Sequence, residues 1–132
     1  MPIKLLWDNE QQTVLRMDVT GQWTWDELHV ARRQIFQMMD AAPAKHIYTV
    51  LNFADGKLNM PPGMWNHWSV LTDYSHPDAG LTVIVGANTF MKMSFGTLKN
   101  TFKVTGRPLD FEYANDLPHA RKVIANDRAR RG

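Results

Sequence analysis

The chain has 132 residues, 44% of them hydrophobic and including five Trp and six Phe, a size and apolar content that suit one domain around one core. Fifteen basic against thirteen acidic residues leave a formal charge of only +2, so composition gives no argument for nucleic acid as a partner. With no cysteine there is no disulfide framework, thiolate nucleophile or Cys-based zinc site, and cytoplasmic residence fits best.

Ile3, Leu5 and Trp7 alternate with Lys4 and Asp8, and Leu15, Met17 and Val19 alternate with Arg16 and Asp18. A period of two on either side of a polar stretch predicts two half-buried strands joined as a hairpin. Asp8 arrives too early to leave a signal-peptide apolar region, and no apolar run approaches the roughly 20 residues of a membrane span.

Thr24-Trp25-Asp26-Glu27 has the form of a capping box, with Trp23 and Leu28 placed as a hydrophobic staple. The helix that starts there carries Leu28, Ala31, Ile35 and Met38 on one face and stops at Ala41-Ala42-Pro43. His46 to Phe53 and Leu81 to Gly86 are short, β-branched and apolar on both faces, as adjacent parallel strands at the centre of a covered sheet must be.

Between those strands, residues 54–59 form a turn-rich loop, Pro61-Pro62-Gly63 suits a helix start, and a helix follows from Met64 to Tyr74. Asn88 or Thr89 caps a third helix with Met91, Phe95, Leu98 and Phe102 in one stripe. Leu109, Phe111 and Tyr113 make a last strand, and Asn115 or Asp116 opens a final helix through Ile124. The basic stretch from about residue 126 reads as a solvated tail. The fold class is therefore α/β, a single domain over 1–132 in the order β-β-α-β-α-β-α-β-α, with a mixed, mostly parallel sheet covered by helices.

Few patterns carry chemistry. The five histidines form no His-x-His pair and no HExxH helix, and Asp73 to Asp78 reads as a polar loop, so no metal is expected. No phosphate-binding or nucleophile-elbow motif occurs, no cofactor is implied, and nucleophile, acid and base never stand together in a recognisable spacing. Met64 and Trp68 share one helical stripe, while Trp65 sits about 100° away, which makes Trp65 or Met60 a candidate exposed apolar contact.

The element order, and a strand running through Asn52 into a loop and a helix start at Gly63, resemble the STAS domain of sulphate transporters and anti-sigma factor antagonists. In phosphoregulated members of that family the third strand ends in Asp, and an Asp-Ser-Ser-Gly turn carries the phosphorylated Ser. Laid on this chain, the strand-end Asp falls on Asn52, and the turn falls on Met60, Pro61, Pro62 and Gly63. Only the Gly matches, and proline accepts no phosphoryl group, so the resemblance is to the divergent SpoIIAA-like group without a phospho-switch.

The resemblance implies a non-catalytic bacterial regulatory module that binds a protein partner through Asn52, Asp55, Met60, Pro61, Pro62, Gly63 and Trp65. The likeness of that divergent group to lipid-binding domains implies an alternative, an apolar ligand cleft at Met64, Trp68, Phe90 and Met91, joined by Met93 and Phe95. The oligomeric state stays open, with a homodimer compatible.

Overall fold

The computed structural model describes residues 3–20, 23–43, 46–53, 79–86, 93 and 111–131. Alternation at the N-terminus yields β1 (Ile3–Trp7) and β2 (Val14–Val19), paired antiparallel with Trp7 opposite Leu15. Asn9 organises their connection: its Oδ1 accepts from the backbone N–H of Thr13 and Val14, and its Nδ2 donates to Thr13 Oγ1 at 2.6 Å. Gln12 takes a left-handed φ of 56°, a conformation non-glycine residues seldom adopt outside tight turns.

The capping box forms as expected at the start of α1 (Trp25–Ala41), with Thr24 Oγ1 accepting from Glu27 N–H and Glu27 Oε1 accepting from Thr24 N–H. Trp23 and Leu28 are both buried in the same cluster, and the Trp23 and Trp25 rings meet edge to face at 5.1 Å. The buried stripe is Trp25, Leu28, Ala31, Ile35 and Met39. Met38 packs against this cluster as expected, partly buried, and Met39 beside it is fully buried, four residues from Ile35 returning nearer to the same face than three.

β3 (Ile47–Asn52) and β4 (Ala79–Val85) are parallel neighbours, and every residue of β3 is buried. With β5 (Phe111–Ala114) the sheet order is β1-β2-β3-β4-β5, antiparallel only at the first pair. Leu15, Met17, Val19, Ile47, Leu51 and Ile84 pack on the α1 face, and Val14, Tyr48, Val50, Leu81, Val83 and Val85 on the opposite one. That opposite face receives α2 (Leu117–Arg131) through Ala120 and Ile124. The final helix thus continues seven residues past Ile124, and the basic stretch read as a tail is its last two turns.

The β3–β4 register shifts between Ile47 and Thr49, and Gly80 stands at that irregularity. A Cβ on Gly80 would lie 2.5 Å from His46 Nε2, so glycine is needed for the close approach of the imidazole, whose ring meets Tyr48 edge-on at 4.9 Å. The obstruction is a side chain rather than backbone. Gly80→Ala should therefore destabilise the chain by about 1 kcal/mol, as small overpacking does. In a His46→Ala background the same change should be neutral or stabilising, since it then only removes unfolded-state freedom. Urea unfolding of the four members of this cycle measures the coupling, and an equal effect in both backgrounds would refute the steric account.

Candidate functional site

In sheets built from parallel strands, sites gather at the carboxyl ends of the strands. Here those ends bring together Asp18 on β2, Asn52 on β3 and the turn at Gly86 after β4. Gly86 takes a φ of 80°, which lets the chain leave β4 sharply. Asn52 is only 6% exposed, and its Nδ2 donates to Asp18 Oδ1 at 2.9 Å.

Period-two alternation sets Arg16 and Asp18 on one face of β2, and Asp8 follows β1 on that same face. Arg16 lies between two carboxylates, with Nη1 donating to Asp8 Oδ1 at 2.9 Å and Nη2 to Asp18 Oδ2 at 3.1 Å. Its Nε lies 3.0 Å from Asp18 Oδ1 as a charge contact outside hydrogen-bond alignment. Arg121 reaches over from α2 and grips Asp8 with both Nε and Nη2, at 3.0 and 2.9 Å. The result is a ladder of alternating sign, Arg121, Asp8, Arg16, Asp18, ending on the Asn52 amide.

A second polar group sits under the C-terminal half of α2. Tyr48 Oη donates to Asp127 Oδ2 at 2.8 Å within the core, and Arg131 and Arg130 donate to the same carboxylate at 2.8 and 3.2 Å. Arg128 stacks over the Tyr48 ring at 5.3 Å and donates to Thr13 Oγ1.

These contacts decide the chemistry. The Arg121 hydrogen bonds, helped by Arg16 and opposed by burial, hold the Asp8 carboxyl below the ordinary range. Burial pushes Asp127 upward, but hydrogen bonds from Arg131 and Tyr48 and the charges of Arg131 and Arg130 outweigh it and the group is lowered. Burial first, then the bond to Asp127, raises the Tyr48 phenol. Asp8 and Asp127 are thus held as ions at neutral pH and are poor proton acceptors, while Tyr48 is held as a neutral donor.

Of the residues named from sequence, Asn52 lies at the described strand end, with its side chain used inside the sheet. Asp55, Met60, Pro61, Pro62, Gly63, Met64, Trp65, Trp68, Phe90 and Met91 lie outside the described residues, as does Phe95. Met93 is described, and its side chain is 69% exposed. Asp8, Arg16, Asp18, Tyr48, Arg121 and Asp127 were not singled out beforehand. A phenol inside a mostly apolar strand, and a lone acid three and four residues before two arginines, are the signals that point to Tyr48 and Asp127.

Among the described residues no three His, Asp or Glu side chains gather as a metal-binding set, and no helix is long and apolar enough to cross a membrane. Comparison with family models finds no match, and no curated protein is significantly similar in sequence.

The depressed carboxyls imply acid sensitivity of known sign. A group lowered in the fold stabilises it above the unfolded value near pH 4, and that contribution is lost as pH falls through the folded pKa. Asp127→Asn should cost about 1 to 3 kcal/mol at neutral pH, as expected when a buried phenol loses a charged acceptor. The same variant should show a shallower loss of stability below pH 4 than the parent. Guanidine titrations along a pH series test this, and parallel acid slopes for the two proteins would count against the assignment.

Proposed function

We propose that the chain is a non-catalytic, STAS-like interaction module of the SpoIIAA-like type, acting in the bacterial cytoplasm on a protein partner. The observation that carries this reading is the sheet itself: a hairpin strand followed by four parallel strands, with a central β3 that ends at Asn52. β3 ends at the carboxyl edge of that sheet, the edge where α/β sheets present their sites, and Asp55, Met60, Pro61, Pro62, Gly63 and Trp65 follow it in sequence.

The paired charges support a binding role over a catalytic one. Asp8, Arg16 and Asp18 satisfy one another, so they offer a fixed platform and no free acid, base or nucleophile. With Pro61 and Pro62 at the hydroxyl positions of the family's turn, partner exchange does not depend on phosphorylation there. Affinity rests instead on apolar contact through Met60, Pro61, Pro62 and Trp65.

Copurification followed by native mass spectrometry tests this reading directly. A protein-sized added mass is expected, and an added mass of lipid size, or none, would overturn it. Trp65→Ala should weaken the recovered complex by about 2 kcal/mol or more while leaving thermal unfolding nearly unchanged, as an exposed aromatic anchor does. Trp68→Ala should cost about 3 to 5 kcal/mol of stability instead, because helical spacing assigns it to the core. Equal destabilisation by both, with the complex unaffected, would remove Trp65 from the binding surface.

A further inference from the structure

We propose that α2 is a hinged cover: it leaves the sheet as one unit while the strands and α1 stay folded, and in leaving it opens one face of the sheet. The contrast between the two helices carries this inference. α1 sinks Trp25, Leu28, Ala31, Ile35 and Met39 into its cluster, whereas the apolar side chains that α2 buries fully are Ala120 and Ile124, with Leu117 and Val123 buried in part. Hydrophobic attachment scales with the apolar area removed from water, so α2 is the more weakly held of the two. Among the described residues it is also the helix that packs on the face formed by Tyr48, Val50, Leu81, Val83 and Val85.

The polar ties are built so that release strands no buried charge among the described groups. Arg130 and Arg131, which compensate the charge of Asp127, stand three and four residues along the same helix and travel with it. Off the sheet, the carboxylate keeps these counter-charges and gains water, and the Tyr48 hydroxyl left on β3 is hydrated by the same movement. Asp8 gives up Arg121 but keeps Arg16. The bonds from Arg121 to Asp8 and from Arg128 to Thr13 lie at the solvent boundary, where water replaces them at little cost.

The joint is short. β5 ends at Ala114 and α2 begins at Leu117, with a bend at Asn115 and Asp116 between them. Rotation there moves the helix and leaves β5 paired to β4. A helix of 15 residues is marginal on its own in water, so its amides lose protection once it is off the sheet.

Hydrogen exchange of the full chain across a urea series reads this opening. Amides from Lys122 to Asp127 should exchange through an opening at least about tenfold more populated than the one that frees Val50 and Leu51, and with a shallower urea dependence because less surface is exposed. Ile35→Val, in the α1 cluster on the opposite face, should speed exchange at Val50 and Leu51 by about fivefold and leave Lys122 to Asp127 unchanged. Tyr48→Phe should speed exchange across Lys122 to Asp127 by about tenfold, the loss of a hydrogen bond to a charged acceptor. Equal protection and equal urea slopes for the two segments of the unaltered chain overturn the proposal, because α2 then opens only with the whole fold. So does an Ile35→Val variant that accelerates α2 as much as β3, or a Tyr48→Phe variant that leaves α2 exchange unchanged. None of these outcomes depends on the partner proposed above.

Discussion

Among the described residues, the attachment of α2 to the sheet depends on one buried hydrogen bond, from Tyr48 to Asp127. β3 is covered on both sides, so a phenol on it has no water to bond and must find a protein acceptor. α2 brings little apolar surface of its own: Ala120 and Ile124 are buried, and Leu117 and Val123 only partly. Its hold on the sheet therefore rests on a carboxylate, a costly group to bury without compensation. Three donors supply that compensation, and two of them, Arg130 and Arg131, come from the helix's own last turn. This explains why a stretch so rich in arginine is helix rather than frayed chain. Arg128, lying on the Tyr48 ring and bonded to Thr13, carries the attachment on to the β1–β2 connection.

The other anchor of α2 is of a different kind. Arg121 is half exposed, while the Asp8 side chain it grips is 5% exposed. An ion pair open to water on one side adds at most about 1 kcal/mol, so its effect is on direction more than on strength. It fixes the rotation of the helix about the Tyr48 attachment and aligns it with the polar strip on β1 and β2. Because Asp8 is shared with Arg16, and Arg16 with Asp18, the orientation of α2 is connected through side chains to Asn52 at the far end of β3.

Much of this architecture was legible beforehand, and the reasons are local. The strands at 3–7 and 14–19 show strict alternation, the helix from Trp25 opens on a full capping box, and β3 and β4 lack polar alternation because both their faces are covered. The misjudged details turn on tertiary partners. The spacing of Asp127 to Arg130 and Arg131 marks local ion pairs, but the bond to Tyr48 across the sheet is long-range, so the basic run reads as solvated chain. Met38 and Met39 both continue the α1 pattern and both meet the cluster, Met39 the more deeply. Arg16 and Asp18 read as the wet side of a strand, and their connection to Asp8 and Arg121 appears only when hairpin and last helix are superimposed. As for the candidate partner surface, Asn52 alone lies within the described residues, and its amide is turned inward to Asp18.

The alternating order of the ladder has a consequence for molecules approaching from a distance. Arg121, Asp8, Arg16 and Asp18 run positive, negative, positive, negative, so their fields cancel beyond the roughly 10 Å over which exposed charges are felt in dilute salt. The ladder itself therefore contributes almost nothing in the far field, and any steering toward that side of the sheet comes from the other charges of α2, whose last turn carries Arg128, Arg130 and Arg131. Contacts with the ladder should accordingly respond little to ionic strength, and selectivity there falls on fit after contact.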